Sequence, residues 1–215
     1  MRTRFALLLV ALAAQCRCLA QAPPPPNKEQ WNKVFSATPT FNTKPNQFLV
    51  AAVKDRKPGK ALEVGFGQGR NATFLAQQGW EVTGVDISEE GARIAREQAE
   101  KLGLKLHLVL EDIHAFDFGN ARWDLVAGLY VHELLTRNAE RIQAGLKPGG
   151  LLVAEGFRSD LPGEETKGRE FGFQTNELFK AFDGLRILRY EDTAAVADWG
   201  RMQKALLVRL LAQKQ

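Results

Sequence analysis

Glu63, Gly65, Gly67 and Gly69 set an acid two residues ahead of three alternating glycines, in the order E-x-G-x-G-x-G. Glycines so spaced let the backbone turn sharply and let a ligand approach it closely. The nicotinamide fingerprint is G-x-G-x-x-G, and Arg70 stands where its third glycine belongs, so that match fails by one residue. An acid before the first glycine and an early third glycine suit a cationic, phosphate-free ligand better than a pyrophosphate. Glu63 can accept from an amino group, directly or through water, while the N-terminus of the following helix receives a carboxylate. A strand-to-helix bend without a ligand is the plain alternative.

Asp86 follows this turn at the interval where an acid holds both hydroxyls of a ribose. Its ordinary role would be a helix cap. Asp112 ends a further apolar run, where it can meet the amino group of an adenine, or simply be a surface acid. Ile87 and Ile113 follow the two acids and would sandwich the ring. Further on, in L-Y-V-H-E, Tyr130 and His132 stand where a general base would be needed and are the catalytic candidates. A histidine there serves equally as a helix cap or as packing. His107, within an expected strand, and His114, in a loop, gain no role from their spacing.

From Lys60 onward short apolar runs alternate with helical periodicity, the pattern of a layered α/β domain with a mostly parallel sheet. Strands are expected at Ala61 to Gly65, Trp80 to Asp86, Leu104 to Leu110, Trp123 to Gly128 and Leu151 to Glu155. Helices are expected from Arg70 to Gln78, after Ser88 as cap, from Leu134 to Leu146 and from Glu177 to Phe182, with Gly79 and Gly103 as stops. Lys147 to Gly150 reads as a tight turn. Leu185 to Tyr190 and Lys204 to Leu211 are separated by residues with little helical periodicity, which favours an antiparallel hairpin closing the sheet.

The N-terminus reads differently. Arg2 and Arg4, the apolar run from Phe5 to Ala14 and the small residues near Ala20 follow the order of a secretory signal peptide, with the cut expected after Ala20. The run is too short for a permanent membrane span. Residues 1–20 are therefore assigned to the signal, 21–44 to a proline-rich linker and N-terminal arm, and 45–215 to one catalytic domain. The mature chain would be exported, periplasmic or secreted; with the segment retained it would be cytoplasmic. Cys16 and Cys18 both lie inside the segment, so the mature chain would carry no disulfide framework and no thiolate metal site. Arg2, Arg4 and Arg17 lie there too, leaving 26 of the 29 basic residues against 25 acidic ones. A near-neutral body provides no electrostatic case for nucleic acid.

The stretch ALEVGFGQGRNATFLAQQGWEVTGVDIS, from Ala61 to Ser88, resembles motifs I and II of class I methyltransferases, most of all the small-molecule group containing tellurite-resistance and thiopurine methyltransferases. Phe41 to Asn46, Trp123 to Val126, Leu146 to Gly150, and Gly172-Phe173 with Glu177-Leu178 extend the likeness over most of the mature chain. The resemblance implies a Rossmann-like doubly wound fold, S-adenosyl-L-methionine as cofactor and a small-molecule methyl acceptor. It implies Glu63, Gly65, Gly67, Asp86 and Asp112 as cofactor contacts, Leu129 packing after strand four, Asn71 as a polar contact and Trp31 closing over the cofactor. The tellurite-resistance enzymes carry a histidine in the C-terminal hairpin; Glu191 to Arg201 contains none, which weighs against tellurium or selenium chemistry. A non-catalytic cofactor-binding module and, less favoured, a nicotinamide oxidoreductase are the competing readings.

Overall fold

The computed structural model describes residues 27–37, 41–159, 172–199 and 203–215. The expected signal, the proline run and residues 160–171 lie outside them. Seven strands, β1 (Lys60–Val64), β2 (Glu81–Asp86), β3 (His107–Leu110), β4 (Trp123–Leu129), β5 (Leu146–Phe157), β6 (Arg186–Ala197) and β7 (Gln203–Gln213), form one sheet in the order β3-β2-β1-β4-β5-β7-β6. The first five pair in parallel, and β7 is antiparallel to both neighbours. The C-terminal hairpin thus closes the sheet as its sequence indicated.

Alternation along the strands sends side chains to two cores, as a sheet covered on both faces requires. Leu62, Val64, Val126, Leu152 and Leu210 pack with Leu135, Ile142 and Leu178 of α5 (Glu133–Thr136), α6 (Ala139–Gly145) and α7 (Glu177–Ala181). On the other face Ala61, Leu125, Ala127, Val153 and Leu207 pack with Leu49 and Val53 of α2 (Gln47–Val53) and Ala72 and Leu75 of α3 (Arg70–Gln77). By the same alternation Glu63, Glu155 and Arg209 fall on this second face, near its carboxyl end.

Several boundaries differ from expectation. The helix expected over Leu134 to Leu146 is two helices, because Asn138 turns its Nδ2 onto the Leu134 carbonyl at 2.8 Å and competes with the helical ladder. Lys147 to Gly150, expected as a turn, forms an irregular entry into β5, with a register shift between Trp123 and Leu125 on its neighbour. The third strand begins at His107 rather than Leu104.

Part of the N-terminal arm is built into the domain. α1 (Lys28–Ser36) starts with a capping box between Asn27 and Gln30 and buries no residue fully. It docks on the start of α4 (Glu89–Lys101): Asn32 Oδ1 accepts from Ser88 Oγ at 2.8 Å and from the Glu90 amide at 3.2 Å, and Lys28 pairs with Glu89. Among the described residues no helix is long and apolar enough to cross a membrane.

Candidate active site at the carboxyl edge

The glycine turn leaves the end of β1 and enters α3. Gly65, Gly67 and Gly69 all adopt positive φ, 67°, 52° and 79°, a region that costs any other residue backbone strain. A Cβ on Gly67 would lie 3.1 Å from Phe35 of α1, so this helix roofs the turn. Val131 lies over Gly65. Asp86 locks the turn from below: one carboxylate oxygen accepts from the Gly67 amide and the other from the Ser88 amide, both at 2.8 Å. Burial raises its pKa, and these backbone donors oppose the rise.

Glu63 is 2% exposed. Its Oε1 accepts from Asn71 Nδ2 at 3.0 Å, while Oε2 is buried with no hydrogen-bond partner. Burial pushes its pKa up to about 8, so its carboxyl is largely protonated at neutral pH. A buried carboxyl oxygen without a donor is costly, and a ligand that brings an N–H to it recovers that cost.

Asn71, expected as a cofactor contact, is instead buried between Glu63 and Asn46, whose backbone amide donates to its Oδ1 at 2.8 Å. Asn46 Nδ2 in turn donates to Glu155 Oε1 at 2.7 Å and Asp198 Oδ1 at 3.1 Å. Glu155 also receives the Tyr130 hydroxyl on Oε1 and Arg209 Nε on Oε2, each at 2.5 Å. Arg70 reaches Asp198 at 3.0 Å. A continuous polar network therefore runs beneath the site from β1 to the hairpin.

The two catalytic candidates sit on strained backbone after β4, with φ of 62° at Tyr130 and 32° at His132. Neither is arranged as a base. Burial, and after it the charges of Glu155 and Asp198, raise the pKa of Tyr130, and its hydroxyl donates to Glu155. His132 is 4% exposed; burial pulls its pKa down to about 3, and its Nε2 accepts from the Phe157 amide at 2.9 Å. The ring fits because Gly156 offers no Cβ, which would meet His132 Cδ2 at 2.6 Å.

The remaining expected contacts divide. Ile87 is half-buried beside Asp86. Asp112 is exposed at the end of β3 and bends its Oδ1 back onto the His114 amide at 2.9 Å, while Ile113 turns into the core rather than lying free beside it. Leu129 is buried in the opposite core. Trp31 is half-buried and stacks on Phe35 at 5.6 Å between ring centroids. Phe35 leads through Phe41 to Trp199, with centroids 5.7 and 5.1 Å apart. Sequence reasoning passed over Phe35, Asn46, Val131, Glu155, Asp198 and Arg209. Only Asn46, placed between Pro45 and the apolar QFLVAAV, carried a local signal, that of a helix cap. Among the described residues no group of His, Cys, Asp and Glu is placed to hold a metal ion.

A family model described as a methyltransferase domain matches residues 61–150. A probable S-adenosyl-L-methionine-dependent methyltransferase TehB of Haemophilus influenzae is 31% identical over 153 residues, covering 67% of this chain and 52% of that protein. Hemagglutinin 1 of Eikenella corrodens is 31% identical over 174 residues, covering 76% and 57%. The crystal structure of TehB from Haemophilus influenzae aligns with a TM-score of 0.67 at 24% identity, covering 87% of this chain and 67% of that one. The chain spans about half the length of the curated relatives it matches, and the structural likeness shows the fold.

Proposed function

The chain carries a class I S-adenosylmethionine-dependent methyltransferase domain, and we propose that it passes the methyl group of that sulfonium to a small-molecule acceptor by in-line displacement. The observation that carries this reading is the unpartnered Glu63 Oε2, buried beside a turn of three positive-φ glycines. An ammonium donor suits that oxygen, and the turn suits a ligand lying against bare backbone. Glu63 would hold the amino group of the cofactor, the Gly65 to Gly69 turn would pass beneath it, and Asp86 would offer its remaining lone pairs to the ribose. Bound there, the cofactor supplies an activated methyl whose bond to sulfur breaks as the bond to the acceptor forms, leaving a neutral thioether.

The chain's own part is alignment and exclusion of water rather than proton transfer. Tyr130 and His132 shape the end of β4, Phe157 and Trp199 pack their rings against Tyr130, and Phe41 packs on Trp199 in turn. With neither candidate base available, the acceptor sheds its proton to solvent before it is enclosed, which suits acceptors that ionise readily, such as thiols and phenols. Calorimetric titration with S-adenosylmethionine and its demethylated product tests the reading. Micromolar binding that Asp86→Ala abolishes is expected, and no binding at millimolar ligand would sink it. Binding without turnover across thiols, phenols and metalloid oxyanions would leave a cofactor-binding module.

Export is part of the same reading, supported by the basic start and apolar run before Ala20. N-terminal sequencing of the native protein after cell fractionation tests it: a start at Gln21 outside the cytosol is expected, and an intact Met1 in the cytosol refutes it.

A further inference from the structure

Asn46 spends every hydrogen-bonding group it has, and spends them on five partners in four different segments. Its amide donates to Asn71 Oδ1 in α3, its carbonyl accepts from Val50 at 3.0 Å in α2, and its Oδ1 caps the Leu49 amide at 3.0 Å. The two Nδ2 hydrogens go to Glu155 on β5 and to Asp198 past the end of β6. The residue is 1% exposed. Its side chain cannot shift to satisfy one partner without releasing another, since a buried amide left unpaired is costly.

The partners belong to opposite halves of the site. Toward β1, Asn71 Nδ2 fixes which oxygen of Glu63 is engaged and leaves Oε2 as the one awaiting a donor. Toward the hairpin, Glu155 holds the Tyr130 hydroxyl, and the Asp198 amide donates to that same hydroxyl at 3.2 Å. Arg70, which begins α3 next to Asn71, adds a second tie to Asp198, through both its carboxylate and its carbonyl at 3.0 Å. Trp199, the next residue, packs on Phe41 and Tyr130.

We propose that Asn46 is a positioning residue that sets the Glu63 carboxylate for the cofactor and the Tyr130–Asp198 wall for the acceptor as one unit. Filling the cofactor half then stiffens the acceptor half. The inference rests on the methyltransferase reading above and goes beyond it, because it assigns the link between the two half-sites to one residue that contacts neither ligand.

The test uses the full chain and the demethylated cofactor, S-adenosylhomocysteine, as probe. Asn46→Ser keeps a capping oxygen for Leu49 and removes the two Nδ2 donors. Asn46→Ser is expected to weaken binding about tenfold in the wild-type background and less than twofold in Glu63→Gln. Asp198→Asn, on the far side of the network, is expected to weaken binding severalfold when Asn46 is present and not when it is replaced by serine. Melting curves identify variants that are still folded at the titration temperature, and the comparison is made among these. Losses that simply add in both double variants, or no loss in either single variant, overturn the coupling while leaving the cofactor reading intact. Absence of binding by the unaltered chain overturns both.

Discussion

The hydroxyl of Tyr130 donates to Oε1 of Glu155 across 2.5 Å, joining the strained residue after β4 to the last acid of β5. Asn46 and Arg209 complete the coordination of that carboxylate, so Tyr130 serves as a donor in a buried cluster. Tyr130→Phe removes this bond and the acceptor of the Asp198 amide. A loss of about 2 kcal/mol is expected, seen as a melting temperature lower by several degrees. Methyl transfer to an ionised acceptor should stay within about tenfold of the unaltered rate; a loss beyond ~1,000-fold with cofactor affinity unchanged would restore Tyr130 as a base.

Glu63 makes two opposite pH dependences. In the ligand-free chain its pKa lies near 8 against an ordinary 4.5, so the folded state holds a proton that the unfolded state releases. Its contribution to stability is complete below 4.5 and is lost as pH rises to about 8. Denaturant midpoints compared with those of Glu63→Gln across this range should reveal that loss. Affinity for an ammonium-bearing ligand should instead rise toward pH 8, because the carboxylate must ionise to receive it, and Glu63→Gln should flatten that rise.

His132 acts with the reverse sign. Its pKa falls from 6.5 to about 3, so the unfolded chain takes up a proton that the buried ring refuses. The stability it contributes is complete above 6.5 and drains as pH falls toward 3. Between 4.5 and 6.5 this slope opposes that of Glu63, so the pair is separable only by substitution. His132→Gln, which keeps an acceptor for the Phe157 amide, should make the chain less sensitive to acid in urea titrations at pH 4 and 6. Equal sensitivity of the two proteins would show that the ring protonates readily in the folded state.

Gly67 is constrained from two sides, by a φ of 52° and by Phe35 above it. Gly67→Ala should cost about 1 kcal/mol or more from the left-handed backbone alone. It should also reduce cofactor affinity at least tenfold by lifting the turn. Calorimetry and a melting curve on the same sample separate the two effects, and unaltered affinity would place the cofactor away from this turn.

Much of the framework was legible because it is local. The glycine turn, the Ser88 cap, whose Oγ accepts from Gly91 at 3.0 Å, and the Gly103 stop with φ of 66° are set within a few residues of chain. Periodicity of two and of 3.6 marked the strands and helices. It failed between Leu134 and Leu146, where a side chain competes with the backbone for one carbonyl, a choice that apolar spacing does not record. It also marked Asp112 as an acid on the carboxyl edge without revealing that its side chain folds back on its own loop.

From the sequence alone came the order of strands and helices, the turn that bares the backbone, and the acids that end on its edge, all consequences of short-range backbone chemistry. The tertiary structure decided what those acids do. Asn46 meets Glu155 and Asp198 across 109 and 152 residues, and Arg209 faces Glu155 only because β7 lies antiparallel to β5 in one register. Such partners are set by which strands become neighbours, and no pattern within a single segment carries that information. Burial then turned Tyr130 and His132 from candidate bases into a donor and an acceptor within the protein's own frame, since a charge in so dry a place costs more than either group can recover.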